Sequence, residues 1–202
     1  MFDGVMRSLI DPPLNAVGRK IAARGIGADS VTMFGLALGL LAAAMIALGS
    51  ATIVALLPLL GSRLADGLDG AVARASRKTD FGGFLDIGCD FLFYGAIPLA
   101  FVLRDTGANG MAGAFLLMTF YANGSTFLAY AILAEKRGMQ TAARGDKSLY
   151  FTAGLLEGTE TIAFFVVICI WPWAFAPLAW IFGALCLATA LARVLLARRV
   201  FR

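Results

Sequence analysis

Asp66 and Asp69, followed by Asp86 and Asp90, put four carboxylates into a chain that is otherwise 60% hydrophobic. Residues three or four apart share a helical face, so each pair lies on one side of its own helix. Arg77, Lys78, Thr79 and Asp80 form a short polar turn between the pairs. That turn makes the two helices antiparallel neighbours, with Asp69 and Asp86 near it and Asp66 and Asp90 one turn deeper. Carboxylates inside a membrane are costly unless paired or solvated, so their convergence marks a functional site. Four of them in one cavity require cations, and an all-oxygen donor set suits Mg²⁺, Mn²⁺ or Ca²⁺. Histidine is absent, and Cys89, Cys169 and Cys186 form no close-spaced pair, which excludes the usual zinc sites. Two divalent ions would neutralise the four charges and polarise a phosphoryl or pyrophosphoryl group. Gly70 follows Asp69, and Gly82 and Gly83 open the next helix, where absent side chains let an anionic ligand approach the backbone. Arg74, one turn beyond Gly70 on the same face, is placed to contact a phosphate.

The elements that position these residues follow from composition. The 202-residue chain has a mean hydropathy of +0.83 and only 15% charged residues. Apolar stretches at 30–48, 51–73 (interrupted), 81–103, 109–134, 150–171 and 173–196 each approach the roughly 20 residues that a helix needs to cross a bilayer. The expected fold is an all-α integral membrane protein with six transmembrane helices, preceded by an N-terminal amphipathic interfacial helix. Residues 1–25 form that helix and 26–202 the membrane domain. Asp11 is expected to cap the N-terminal helix, with Pro12 and Pro13 in its first turn, Leu14, Val17 and Ile21 along one side, and an end near Gly25. Its scattered charges exclude a signal peptide. Along the first span Gly35, Gly39, Ala43 and Ala47 recur every fourth residue, a stripe suited to close packing in a bundle.

If six spans alternate, all but two of the 17 Lys and Arg residues fall on one side, the exceptions being Arg104 in an opposite loop and Arg63 inside the second span. This asymmetry places both termini in the cytoplasm, with Trp171, Trp173 and Trp180 in the far interface. The acidic motif then opens at the cytoplasmic face. The net charge of +4 reads as topology and attraction to anionic lipid, not as a nucleic-acid surface.

The spacing Asp66-x2-Asp69-Gly70-x2-Ala73-Arg74, then Gly82-x3-Asp86-x3-Asp90, resembles the signature of the CDP-alcohol phosphatidyltransferase family, and the expected topology extends the resemblance over nearly the whole chain. The turn from Arg74 to Gly82 is slightly shorter than the family's. The resemblance implies a phosphotransferase that moves the phosphatidyl group of CDP-diacylglycerol onto an acceptor hydroxyl and releases CMP. It implies that Asp66, Asp69, Asp86 and Asp90 hold two divalent cations, Mg²⁺ or Mn²⁺, and that Asp90 is also the base for the acceptor. By the same analogy Gly70, Arg74 and Thr79 contact the CDP donor, as do Asp29, Ser30 and Thr32 at the start of the first span. An Asp or Ser in front of an apolar run is equally a helix cap. The resemblance further suggests a homodimer in the bacterial cytoplasmic (inner) membrane.

Other polar residues nominate an acceptor pocket without choosing the acceptor. Arg137, Arg144, Lys147 and Arg193 suit a phosphorylated alcohol such as glycerol 3-phosphate, which is placed first, or inositol phosphate. Glu157 and Glu160 suit inositol or serine, and they serve equally well as partners of Arg63, Arg144 or Arg193. Asn123, Ser125 and Thr126 face the same cavity or glue helices together. Arg63 pairs with Asp66 or snorkels outward. Without histidine, the phospholipase D type of transfer is excluded. A membrane cation transporter is the rival from another class, and it requires acidic groups across the midplane instead of at one surface. A purely structural subunit would bury these carboxylates at a cost with nothing to offset it.

Overall fold

The computed structural model describes residues 3–139 and 158–202, and among them there are helices and no strand. In chain order these are α1 (Asp3–Ala23), α2 (Ala28–Ala47), α3 (Thr52–Ala75), α4 (Asp80–Arg104), α5 (Thr106–Lys136), α6 (Gly158–Ile170) and, after a 3-10 turn at Pro172–Ala174, α7 (Phe175–Val200). Four of them, α2, α4, α5 and the segment Pro172–Val200, are long and apolar enough to cross a membrane. Helix α3 has the length, but Arg63, Asp66, Asp69 and Arg74 dilute its apolar character, and α6 is shorter over its described residues. The first part of the expected span 150–171 lies outside the described residues.

The N-terminal segment differs from expectation in two ways. Helix α1 begins at Asp3, so Asp11 is internal and caps nothing, and Pro12 and Pro13 sit in the helix interior. Proline's fixed φ is already helical, so the helix continues through the pair and loses two amide donors. The second difference is its docked face. Leu14, Gly18 and Ile21 turn toward α3, while Val17 is 44% exposed. The cause is the closeness of the crossing. A methyl on Gly18 would lie 2.7 Å from Ala71 Cβ, and one on Gly67 would lie 2.9 Å from Leu14 Cδ1. Only glycine fits at the crossing point, and this sets the rotation of α1. The expected end does occur: Gly25 at φ 78° accompanies bonds from its amide to Ala22 O and from the Ile26 amide to Ile21 O, a Schellman motif. A Gly18→Leu substitution should therefore lift α1 off α3. The expected result is a loss of about 1–3 kcal/mol of stability and faster proteolysis near Gly25, read by thermal unfolding and limited digestion in detergent.

Helix α2 is the central strut and packs along both α3 and α4. Its small-residue stripe provides the contact. Gly35 faces Ala65 of α3, and Gly39 faces Ser62 of α3 and the Phe93 ring of α4. Helices α3 and α4 make little backbone contact with each other, so the close side-by-side pair expected from the short turn is replaced by two helices that lean on α2. The physical reason is bulk: the Arg63 guanidinium lies 3.7 Å from the Phe93 ring centroid and fills the space between them. Helices α5 and α7 form the second pair, with Phe115 stacked on Trp180 at 4.7 Å. Helix α6 is tied to α3 by Thr52 Oγ1, which donates to Cys169 O at 2.6 Å. Arg104, the outlier in the charge pattern, donates to Ser50 O (2.7 Å) and Ile46 O (3.3 Å) and so closes the carboxyl end of α2.

Candidate active site

The last turns of α3 and the first turns of α4 carry the motif. Thr79 is the N-cap of α4, and its hydroxyl accepts the Gly82 amide at 3.0 Å, which starts the helix at Asp80 and puts Asp86 on its second turn. One carboxylate oxygen each from Asp66, Asp69 and Asp86 lies within 4.8 Å of the others. Asp69 is buried at 6% exposure, and its Oδ2 accepts the Thr32 hydroxyl of α2 at 2.6 Å. The other two carboxylates of the cluster are more open, Asp86 the most. Three hard oxygen donors at this separation fit one divalent cation of the Mg²⁺ or Mn²⁺ type, whose ligands lie about 2 Å from the ion.

Asp90 is not one of these three, but its carboxyl adjoins that of Asp66. Asp90 Oδ1 accepts Arg63 Nη1 at 2.7 Å, and the same nitrogen lies 3.6 Å from Asp66 Oδ1. Arg63 therefore pairs inside the bundle and does not snorkel. Its side chain is only 10% exposed. Nη2 donates to Ser62 Oγ at 3.2 Å, the plane packs on Phe93, and Nε is buried with no partner.

The residues nominated for the donor divide. Gly82 opens a cradle: a methyl there would meet Thr79 Oγ1 at 3.0 Å and Asp29 Oδ1 at 3.2 Å. Asp29 and Thr32 thus reach the motif from the first two turns of α2. Neither Asp29 nor Ser30 caps that helix, because the N-cap position is Gly27 and has no side-chain bond. Ser30 is exposed beside them. Arg74 Nη1 would lie 3.3 Å from a methyl on Gly70, so the guanidinium spans the glycine next to Asp69. Its other edge is taken by a residue the sequence did not nominate: Asn15 Oδ1 on α1 accepts Arg74 Nε at 3.1 Å and Nη2 at 2.8 Å. No local signal links positions 59 residues apart, and the docking of α1 on α3 creates the contact.

Of the nominated acceptor residues, Arg144 and Glu157 lie outside the described residues, as does Lys147. Glu160 stands in the first turn of α6. The start of that helix approaches the motif, since a methyl on Gly158 would lie 3.4 Å from Tyr94 Oη, one turn along α4 from Asp90. Arg193 is committed to α5. Its Nη1 donates to Asn123 O (2.9 Å), Asn123 Oδ1 (2.8 Å) and Thr126 Oγ1 (3.1 Å). Arg137 donates to Val200 O and Phe201 O and fastens the carboxyl terminus. Cys89, between Asp86 and Asp90, is a buried free thiol.

Comparisons with known proteins agree with this arrangement. The family model for CDP-alcohol phosphatidyltransferase matches residues 26–199. The chain is 46% identical over 194 residues to the Escherichia coli inner membrane protein YnjF, covering 96% of this chain and 94% of that one. It is 30% identical over 168 residues to the archaetidylinositol phosphate synthase of Pyrococcus horikoshii, covering 82% and 89%. Its fold is similar to that of Mycobacterium tuberculosis phosphatidylinositol phosphate synthase (PgsA1) with CDP-DAG bound, at a TM-score of 0.69 and 22% identity over 90% of this chain and 91% of that one. Another structure of the same synthase is a complex with manganese and citrate. The family match spans every motif position that the geometry gathers around Asp69, and the chain accordingly belongs to the CDP-alcohol phosphatidyltransferase family of membrane phosphotransferases.

Proposed function

We propose that this enzyme transfers the phosphatidyl group of CDP-diacylglycerol to a hydroxyl of a phosphorylated polyol, inositol phosphate in the first place, and releases CMP. The observation that carries the reading is the cluster of Asp66, Asp69 and Asp86 with Asp90 one turn away on α4. The cluster holds Mg²⁺ or Mn²⁺, and the bound metal neutralises the donor's pyrophosphate and polarises the phosphorus under attack. Thr32 fixes the Asp69 oxygen, so that ligand is pre-set before the metal arrives. Gly70 and Gly82 leave room for the donor backbone, with Arg74, Asp29, Ser30 and Thr79 around it. Asp90 takes the proton of the acceptor hydroxyl as the new oxygen–phosphorus bond forms and the bond to CMP breaks. Arg63 holds one oxygen of Asp90, which keeps the carboxylate oriented toward the acceptor.

Two archaetidylinositol phosphate synthases among the relatives support inositol phosphate as acceptor, and glycerol 3-phosphate is the second phosphorylated candidate. The similarity to an Escherichia coli inner membrane protein supports the bacterial inner membrane as its place. We place six spans there, with α1 at the cytoplasmic interface, both termini and the site on the cytoplasmic side, and the chain paired as a homodimer.

The test uses purified protein in detergent with CDP-diacylglycerol, Mn²⁺ or Mg²⁺, and inositol phosphate, glycerol 3-phosphate, inositol or serine, followed by CMP release and mass spectrometry of the lipid. CMP should appear with inositol phosphate, require the metal and vanish with chelator. Product from serine or unphosphorylated inositol alone would overturn the phosphorylated-acceptor reading, and silence with every acceptor would overturn the choice of donor or acceptor class.

A further inference from the structure

We infer that Arg63 is a positioning residue that makes the cation positions of this centre unequal: one divalent ion binds the free enzyme at Asp66, Asp69 and Asp86, and Arg63 withholds Asp90 from a second. This rests on the metal-dependent reading above. Three observations lead to it. The three mutually close carboxylates do not include Asp90, which adjoins the cluster through Asp66. Arg63 Nη1 stands between Asp90 Oδ1 (2.7 Å) and Asp66 Oδ1 (3.6 Å), so a second ion held by these two residues would compete with the guanidinium for their oxygens. The guanidinium has no easy retreat, since it is 10% exposed and held by Ser62 Oγ and the Phe93 face.

A fixed unit charge beside a divalent ion opposes its binding, and the pair it forms with Asp90 must be broken as well. Donor phosphates reverse the balance by adding negative charge and oxygen ligands. The second ion therefore enters with the nucleotide. The chemical class that completes the centre is a metal–nucleoside diphosphate complex, not a free cation.

The experiment titrates purified protein in detergent with Mn²⁺ and reads bound ion by electron paramagnetic resonance, without turnover. Wild-type protein should bind one ion tightly, and a second only when CDP is added. In Arg63→Gln the second ion should bind without nucleotide, with its affinity raised by roughly 10- to 100-fold. Arg63→Lys keeps the charge and should behave as wild type. Two equivalent ions in nucleotide-free wild-type protein would overturn the inference and leave the metal reading intact, as would an unchanged second affinity in Arg63→Gln. No bound ion at all would overturn the metal reading itself. Should Arg63→Gln fail to fold, the wild-type stoichiometry with and without CDP decides the matter.

Discussion

Asp90→Asn is expected to lower CMP release by about 10³-fold, the middle of the usual range for loss of a general base, while the protein stays folded and still binds Mn²⁺. The expectation comes from the proposed division of labour among the four aspartates. Asp66, Asp69 and Asp86 bring oxygens within 4.8 Å of one another and suffice for an ion, whereas Asp90 stands beside them on the salt bridge to Arg63. Asparagine preserves shape and can still accept the Arg63 hydrogen bond through its carbonyl oxygen, so packing around Phe93 survives. It cannot take a proton. Steady-state rates with saturating donor and acceptor, alongside Mn²⁺ binding, separate the two roles. Activity near wild type in Asp90→Asn would remove the base from Asp90, and loss of Mn²⁺ binding would make it a ligand in the free enzyme. Asp69→Asn should show the opposite pattern, with metal affinity lost first.

The largest expected effect on folding belongs to Gly39→Leu. A Cβ at this position of α2 would lie 2.6 Å from Phe93 Cδ2 and 3.0 Å from Ser62 Oγ, and leucine brings three further carbons. Phe93 cannot give way. It is fully buried, with Arg63 on its face, Tyr94 at 5.6 Å and Phe165 at 5.8 Å between ring centroids. The overpacking cost reaches or exceeds about 3 kcal/mol, the top of the usual range. Because Gly39 is where α2 touches both motif helices, the same change separates Arg63 from Asp90, so activity falls together with stability. Thermal unfolding in detergent provides the measurement. Gly95→Ala on α4 is the matched control, because nothing lies within 4 Å of its added methyl, and it should be neutral or gain about 0.5–1 kcal/mol. Equal stability of Gly39→Leu and wild type would contradict the packing described for α2.

Much of the architecture could be read without coordinates because a membrane imposes length and hydropathy on each span. The expected stretches 81–103 and 109–134 lie inside α4 and α5, 30–48 matches α2 to within one residue at its end, and the helix for 51–73 is α3. Reading α1 was harder. A proline pair looks like a helix start, yet proline's φ is compatible with an interior position, and nothing local in 1–25 reveals that Gly18 will touch Ala71. For the acceptor pocket, residue type does not separate a free basic side chain from a structural tie, and two of the nominated residues are ties: Arg193 to Asn123 and Thr126, and Arg137 to the carboxyl-terminal backbone.

What the sequence by itself determined was the chemistry of the centre. Helical spacing alone puts Asp66 with Asp69 and Asp86 with Asp90, and an all-carboxylate donor set without histidine or a close-spaced cysteine pair suits a hard, oxygen-bound cation. Which carboxylates meet was a tertiary matter. Spacing fixes faces along one helix but not the distance between two, and α3 and α4 are set by α2 through Gly35 and Gly39 and by the guanidinium wedged on Phe93. Three aspartates meet around one position, and Asp90 beside them takes the short salt bridge to Arg63. The contact of Asn15 with Arg74 likewise arises only when α1 folds onto α3 across 59 residues of chain, because the energy of such a contact lives in packing between helices and leaves no trace in local pattern.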